Sequence, residues 1–123
     1  MKIKDMIAMV DKLTPNAYET IDKIRWLKHL ELQIYDEVIS GCEGYEQIPT
    51  GKYDIEHYDD AQLLAPDMFS DLYRWYLEAQ IGKANGETAR YNNALILFQS
   101  KWEEYCNWYT RHHMPIAKKV KLW

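Results

Sequence analysis

The sequence predicts an all-α protein: an antiparallel helix-hairpin bundle of about four helices with a small irregular or β-hairpin insertion. Three observations carry the prediction. Apolar residues recur at helical spacing along several separate stretches. Asn85-Gly86 sits between two long helical patterns as a tight-turn signal. Residues 41–65 gather Gly41, Gly44, Pro49 and Gly51, four of the nine Gly and Pro residues, so the one irregular stretch is confined to the middle of the chain.

The first helix falls within residues 1–12, where Ile3, Met6, Ile7 and Val10 repeat at intervals of three and four. Thr14-Pro15-Asn16 breaks it, because a proline disfavours the helical conformation of its predecessor. A second helix spans 19–40 on Ile21, Ile24, Leu27, Leu30, Ile34 and Val38, flanked by Tyr35 and Ile39, with Gly41 as its stop. Within the 41–65 insertion, Tyr45–Ile48 and Lys52–Ile55 flank Pro49-Thr50-Gly51 as a candidate β-hairpin. A third helix covers 66–84, opened by Pro66 and Asp67, both suited to a first turn. The last helix covers 87–114. In it Tyr91, Leu95, Phe98, Trp102, Tyr105, Tyr109 and His112 form a heptad seam, widened by Ala94, Leu97 and Trp108. A helix of that length, about 42 Å, should overhang its own core, unless the domain is elongated, and in either case leave aromatic surface for a partner. Pro115 ends it, and 115–123 form a basic tail closed by Trp123.

At 123 residues, 47% hydrophobic and 28% charged, the chain suits a single packed domain. Its net charge of −4 argues against a general nucleic-acid binder, which must neutralise phosphates. The charge is uneven: residues 42–60 carry six acids against Lys52, and 101–123 carry five bases against Glu103 and Glu104. Opposite-sign ends suit head-to-tail association of identical subunits, or simply two solvated surfaces. Cys42 and Cys106 have no metal or CxxC spacing and read as free thiols in a reducing compartment. The N-terminal stretch, broken by Asp5 and Asp11, is no signal peptide, and no apolar run approaches a membrane span, so cytoplasmic production is expected.

Candidate chemistry is thin. Glu43 with Glu46, and Glu56 with Asp59, have the i, i+3 spacing that holds Mg²⁺ on a helix, but they lie in the Gly/Pro-rich insertion, where a solvated acidic loop is the better reading. His112 and His113 with His57 or His29 are a poor metal set, since adjacent helical residues point apart; a histidine in a last turn favours the helix dipole. Gly82-Lys83-Ala84-Asn85-Gly86 lacks phosphate-loop spacing, and Cys106 among aromatics reads as inert. No catalytic residue, cofactor site or metal site is assigned.

The aromatic residues are the signal to follow. Eleven of the 17 lie between Phe69 and Trp123. Part of that stripe must be core. Trp and Tyr are also the residues interfaces favour, so Trp75, Tyr76, Trp102, Tyr105, Trp108, Tyr109 and Trp123 are the candidate interface. Assembly, not catalysis, is the expectation.

A resemblance appears at these residues. Asp71-Leu72-Tyr73, Glu78-Ala79-Gln80-Ile81 and Arg90-Tyr91-Asn92-Asn93, with Lys23-Ile24-Arg25-Trp26-Leu27 earlier, resemble small helical head–tail connector proteins of tailed phages and prophages. These words are packing patterns and cover most of the chain outside 42–65. The resemblance implies a non-enzymatic adaptor in the virion neck. It would assemble in the host cytoplasm as a ring of about twelve copies beneath the portal protein and dock a neck or tail completion protein. DNA would pass without sequence-specific binding, and no membrane or cofactor is implied. The acidic residues Asp54, Glu56, Asp59 and Asp60 would then face the lumen or a neighbouring subunit. Two alternatives remain: a helical regulatory or binding protein, dimeric through its last helix, and a metal-dependent phosphohydrolase using the acidic cluster.

Overall fold

The computed structural model describes residues 2–39 and 62–112. Over these residues the chain is all-α, with four helices and no strand: α1 (Ile3–Leu13), α2 (Thr20–Ile34), α3 (Ser70–Asn85) and α4 (Thr88–His112). The candidate hairpin between Tyr45 and Ile55 lies outside the described residues. The sole β-type pairing among them is an isolated antiparallel bridge between Lys2 and Gln62.

α3 is the central element and packs against α1, α2 and α4. Leu72, Tyr73, Leu77, Ala79, Ile81 and Gly82 are all buried along it. α1 presents the predicted stripe, with Ile3, Met6, Ile7 and Val10 inside. Its end is fixed by polar bonds: Thr14 N–H donates to the Val10 carbonyl at 2.8 Å, and the Asn16 amide donates to Asp11 and to the Thr14 carbonyl. The Thr14 hydroxyl also donates to Glu78 on α3, which ties α1 to the centre of the bundle.

α2 buries Ile24, Leu27, Leu30 and Ile34 as its spacing predicts. Its final turn, Tyr35–Ile39, is wound as a π-helix. In that wider turn the backbone bonds run from i to i+5, and Val38 and Ile39 are both buried although adjacent. The helix predicted to start at Pro66 instead begins with a 3₁₀ turn, Asp67–Phe69, before Ser70. The tighter turn delivers Phe69 inward, while Asp67 and Met68 stay outside.

The α3–α4 turn closes as a Schellman motif. Glu87 N–H donates to the Gly82 carbonyl at 2.8 Å and Gly86 N–H to the Lys83 carbonyl at 3.2 Å. Gly86 takes φ +75°, a conformation that side-chain-bearing residues rarely adopt. Gly82 matters for a different reason: a Cβ there would stand 3.0 Å from the Tyr91 backbone nitrogen, so its lack of a side chain sets how closely the two helices approach.

Candidate functional site

The aromatic seam of α4 faces inward. Phe98, Tyr105 and Tyr109 are buried, and Leu95 and Trp102 pack partly buried against the same core. Phe69 is the contact that closes the far end. Its ring centroid lies 5.3 Å from Tyr105 and 5.3 Å from Trp108, and Tyr105 stands 6.0 Å from Tyr109. The π-turn packs on α4 as well. The length of α4 therefore does not leave this aromatic stretch as free surface: the turn from Asp67 to Phe69 and the last turn of α2 cover it.

Of the candidate interface residues, Tyr105 is 1% exposed and Tyr109 is buried, so both belong to the core of the chain itself. Trp75, Tyr76, Trp102 and Trp108 are half-buried against that core. Tyr76 packs on Phe98 at 5.4 Å, and Phe98 on Trp102 at 6.0 Å. Trp123 and the acidic residues Asp54, Glu56, Asp59 and Asp60 lie outside the described residues, as do Glu43, Glu46, His57 and His113.

His29 and His112 are both exposed. His112 stacks on Trp108 at 4.8 Å, its Nδ1 2.8 Å from the Trp108 carbonyl. Among the described residues no His, Cys, Asp or Glu side chains cluster as metal ligands. Burial pushes the Cys106 thiol up, with Glu37 and Glu103 adding to it, so the protonated, poorly nucleophilic form is favoured.

Two buried polar centres escaped the sequence pattern. Glu31, on the predicted apolar helix, is 0% exposed. Its carboxylate accepts from Leu64 N–H at 3.0 and 3.2 Å and from the Tyr73 hydroxyl at 2.9 Å, while that hydroxyl accepts from Ala65 N–H at 2.8 Å. The cluster joins α2, α3 and the segment entering α3. Burial first, then the Glu31 charge, raises the Tyr73 hydroxyl well above the ordinary tyrosine value. Lys23 is 2% exposed and pairs with Asp11 on α1. Every buried side-chain nitrogen and oxygen among the described residues has a hydrogen-bond partner. These groups are spent on joining helices.

The open surface lies elsewhere. A groove of about 320 Å³ runs between α3 and α4, lined by Trp75, Glu78, Arg90, Asn93, Ala94 and Leu97. Its Glu78 carboxylate is engaged by Thr14 and by Arg74 at 3.1 Å, and the Arg74 guanidinium lies 4.3 Å from the Trp75 ring centroid. Leu97, expected to widen the inward seam, is 42% exposed, and Ile96 beside it is 64% exposed. The signal for them was the angular position itself: both fall off the 4-3-4-3 seam. Comparison with protein families, with curated proteins and with solved structures finds no match to this chain.

Proposed function

We propose that this chain is a non-enzymatic structural protein of a tailed phage or prophage. In this reading it is a head–tail connector that assembles as a ring beneath the portal protein and offers a docking surface to neck or tail components. The observation that supports the reading is the placing of its exposed apolar side chains. Leu13 on α1, Leu32 on α2, Met68 ahead of α3, and Ile96 and Leu97 on α4 stand out from four different elements. A subunit of a closed ring needs two unlike faces, one for each neighbour, and exposed apolar side chains on several elements suit that need. The framework beneath them is cross-braced by the Thr14–Glu78, Lys23–Asp11 and Glu31–Tyr73 bonds, which suits a part that must hold its shape under load.

Light scattering on the full chain, alone and with the portal protein of the same phage or prophage, tests the reading. A species near about twelve subunits, formed alone or on the portal, is the expected result. A chain that stays monomeric or dimeric with the portal present ends it. Neutralising Asp54, Glu56, Asp59 and Asp60 tests the lumen-facing role: DNA retention and ejection should change in particles carrying the variant.

A further inference from the structure

Asn85-Gly86 does more than turn the chain. An asparagine followed by glycine is the pair most prone to lose its side-chain amide spontaneously, because glycine has no side chain to hinder its backbone nitrogen as that nitrogen attacks the neighbouring amide carbon. Of the five asparagines in the chain, Asn85 alone precedes a glycine. It stands exposed at the end of α3, where water reaches it. Yet its amide is held at both ends. Oδ1 accepts from the Tyr18 hydroxyl at 2.6 Å, and Nδ2 donates to Glu87 Oε1 at 2.9 Å. The attacking nitrogen is held too: Gly86 N–H donates to the Lys83 carbonyl at 3.2 Å.

Tyr18 is itself fixed. Its ring packs edge-on against Trp26 at 5.7 Å, and its N–H donates to Asn16 Oδ1 at 3.1 Å. The Asn16 amide in turn donates to Asp11 and to the Thr14 carbonyl. The hydroxyl therefore reaches Asn85 from the rigid connection between α1 and α2, 67 residues away in the chain. The Schellman bonds use backbone alone. The two bonds to the Asn85 amide add nothing to the winding of the turn; what they fix is the amide.

We propose that Asn85 is a deamidation site that the fold keeps latent, with Tyr18 and Glu87 as its clamp. In the reaction the Gly86 nitrogen yields its proton and bonds to the Asn85 side-chain carbon. Nδ2 leaves with that proton, relayed by water, as ammonia, and a succinimide remains. Water then opens the ring at one carbonyl or the other, giving aspartate or isoaspartate. No other reactant is needed. The helical backbone at Asn85 and the bond to Lys83 direct the Gly86 nitrogen along the helix, and Tyr18 and Glu87 keep the amide from swinging onto it. Either product undoes the clamp. A carboxylate accepts where the amide donated and faces Glu87 as a like charge, and isoaspartate lengthens the backbone inside the Schellman turn. Conversion is thus an irreversible mark on any chain whose turn has opened.

Peptide mass spectrometry on the full chain, aged at mildly alkaline pH and digested in acid, tests it. Deamidation is read as the gain in mass when NH2 becomes OH. In urea strong enough to unfold the chain, Asn85 should convert ahead of Asn16, Asn92, Asn93 and Asn107. In the folded chain it should convert at least about tenfold more slowly than in urea, since two ordinary hydrogen bonds restrain it. Tyr18→Phe keeps the ring against Trp26 and removes the donor; Glu87→Ala removes the acceptor. Each should raise the folded-state rate about fivefold, the worth of one such bond, and leave the rate in urea unchanged. Leu27→Ala empties a fully buried site far from the turn and costs more stability than either, so it should speed conversion less. Equal rates in the folded and unfolded chain overturn the proposal. So does a Tyr18→Phe rate at or below wild type, which would mean that the hydroxyl activates the carbonyl instead of restraining it. So does a Leu27→Ala rate above those of the two clamp variants, which would assign the protection to folding as a whole.

Discussion

The Tyr73 hydroxyl bridges Glu31 and the backbone of Ala65, donating to the carboxylate at 2.9 Å and accepting from the N–H at 2.8 Å. One phenol thus locks the chain entering α3 onto α2. Tyr73→Phe leaves the Ala65 N–H without its partner and removes one bond from a buried carboxylate, at a cost of about 1–3 kcal/mol. Glu31→Ala, which also strips Leu64 N–H of its acceptor, should cost about 1–3 kcal/mol for each buried donor left unpaired. The two changes share one network, so the double variant should be more stable than their sum predicts by about 1 kcal/mol. Strict additivity in urea melts would show that the bridge does not act as a unit.

The same pair sets an alkaline limit. Tyr73 in the folded chain holds its proton more tightly than an ordinary tyrosine at 10.0, chiefly through burial and then the Glu31 charge. Its contribution to stability is therefore fully present below pH 10.0. It is lost as pH rises from there toward the folded value, where the unfolded chain has released a proton the folded chain retains. The slope from this one group is at most about 1.4 kcal/mol per pH unit. Tyr73→Phe should flatten the alkaline limb of a stability–pH curve by up to that amount; an equally steep limb in the variant would assign the loss to other groups.

Gly82 and Gly86 should respond differently to alanine. At Gly82 the added methyl meets backbone, the Tyr91 nitrogen at 3.0 Å, so α3 and α4 must move apart, costing about 1–3 kcal/mol. At Gly86 the space is open and only the left-handed backbone is strained, costing about 1 kcal/mol. Gly86→Asn should recover part of that loss, since asparagine visits this conformation, whereas Gly82→Asn should be worse than Gly82→Ala. Thermal melts of the four variants check the ranking.

Lys23 and Asp11 form an unequal pair, the ammonium nearly enclosed and the carboxylate 41% exposed. Removing the exposed partner strands the buried charge. Asp11→Asn should cost about 1–2 kcal/mol, below the range of fully buried pairs because water reaches the carboxylate side. Lys23→Met replaces the buried stem with a similar shape and should be close to neutral in chemical denaturation. The reverse order would mean that the pair contributes through packing alone.

Much of the fold was legible along the chain. The α1 stripe, the inward positions of α2 from Ile24 to Ile34, the turn at Asn85-Gly86 and the seam from Leu95 to Tyr109 all follow from periodicity, because a helix with one wet side must repeat its apolar residues near every 3.6 positions. The π-turn at Tyr35–Ile39 was not legible. It is a local rewinding that buries Val38 and Ile39 side by side, and the turn packs on α4, a contact that the local sequence does not contain.

That the chain is helical, where its helices break, and that its last helix has an aromatic side can all be read from residue order. The fold decides what that side packs against. Phe69 packs on Tyr105 and the π-turn packs on α4, so Tyr105 and Tyr109 are core, while Trp75, Tyr76, Trp102 and Trp108 stay half-buried against that core and Ile96 and Leu97 stand exposed on α4. It also decided the roles of Glu31 and Lys23. A charged residue on an amphipathic helix reads as solvent-facing until a distant hydroxyl, amide or carboxylate meets it, and Tyr73, Leu64 and Asp11 lie 42, 33 and 12 residues away. Periodicity reports which side of a helix is apolar; which neighbour covers that side, and which buried charge finds a partner, depends on contacts between residues far apart in the chain.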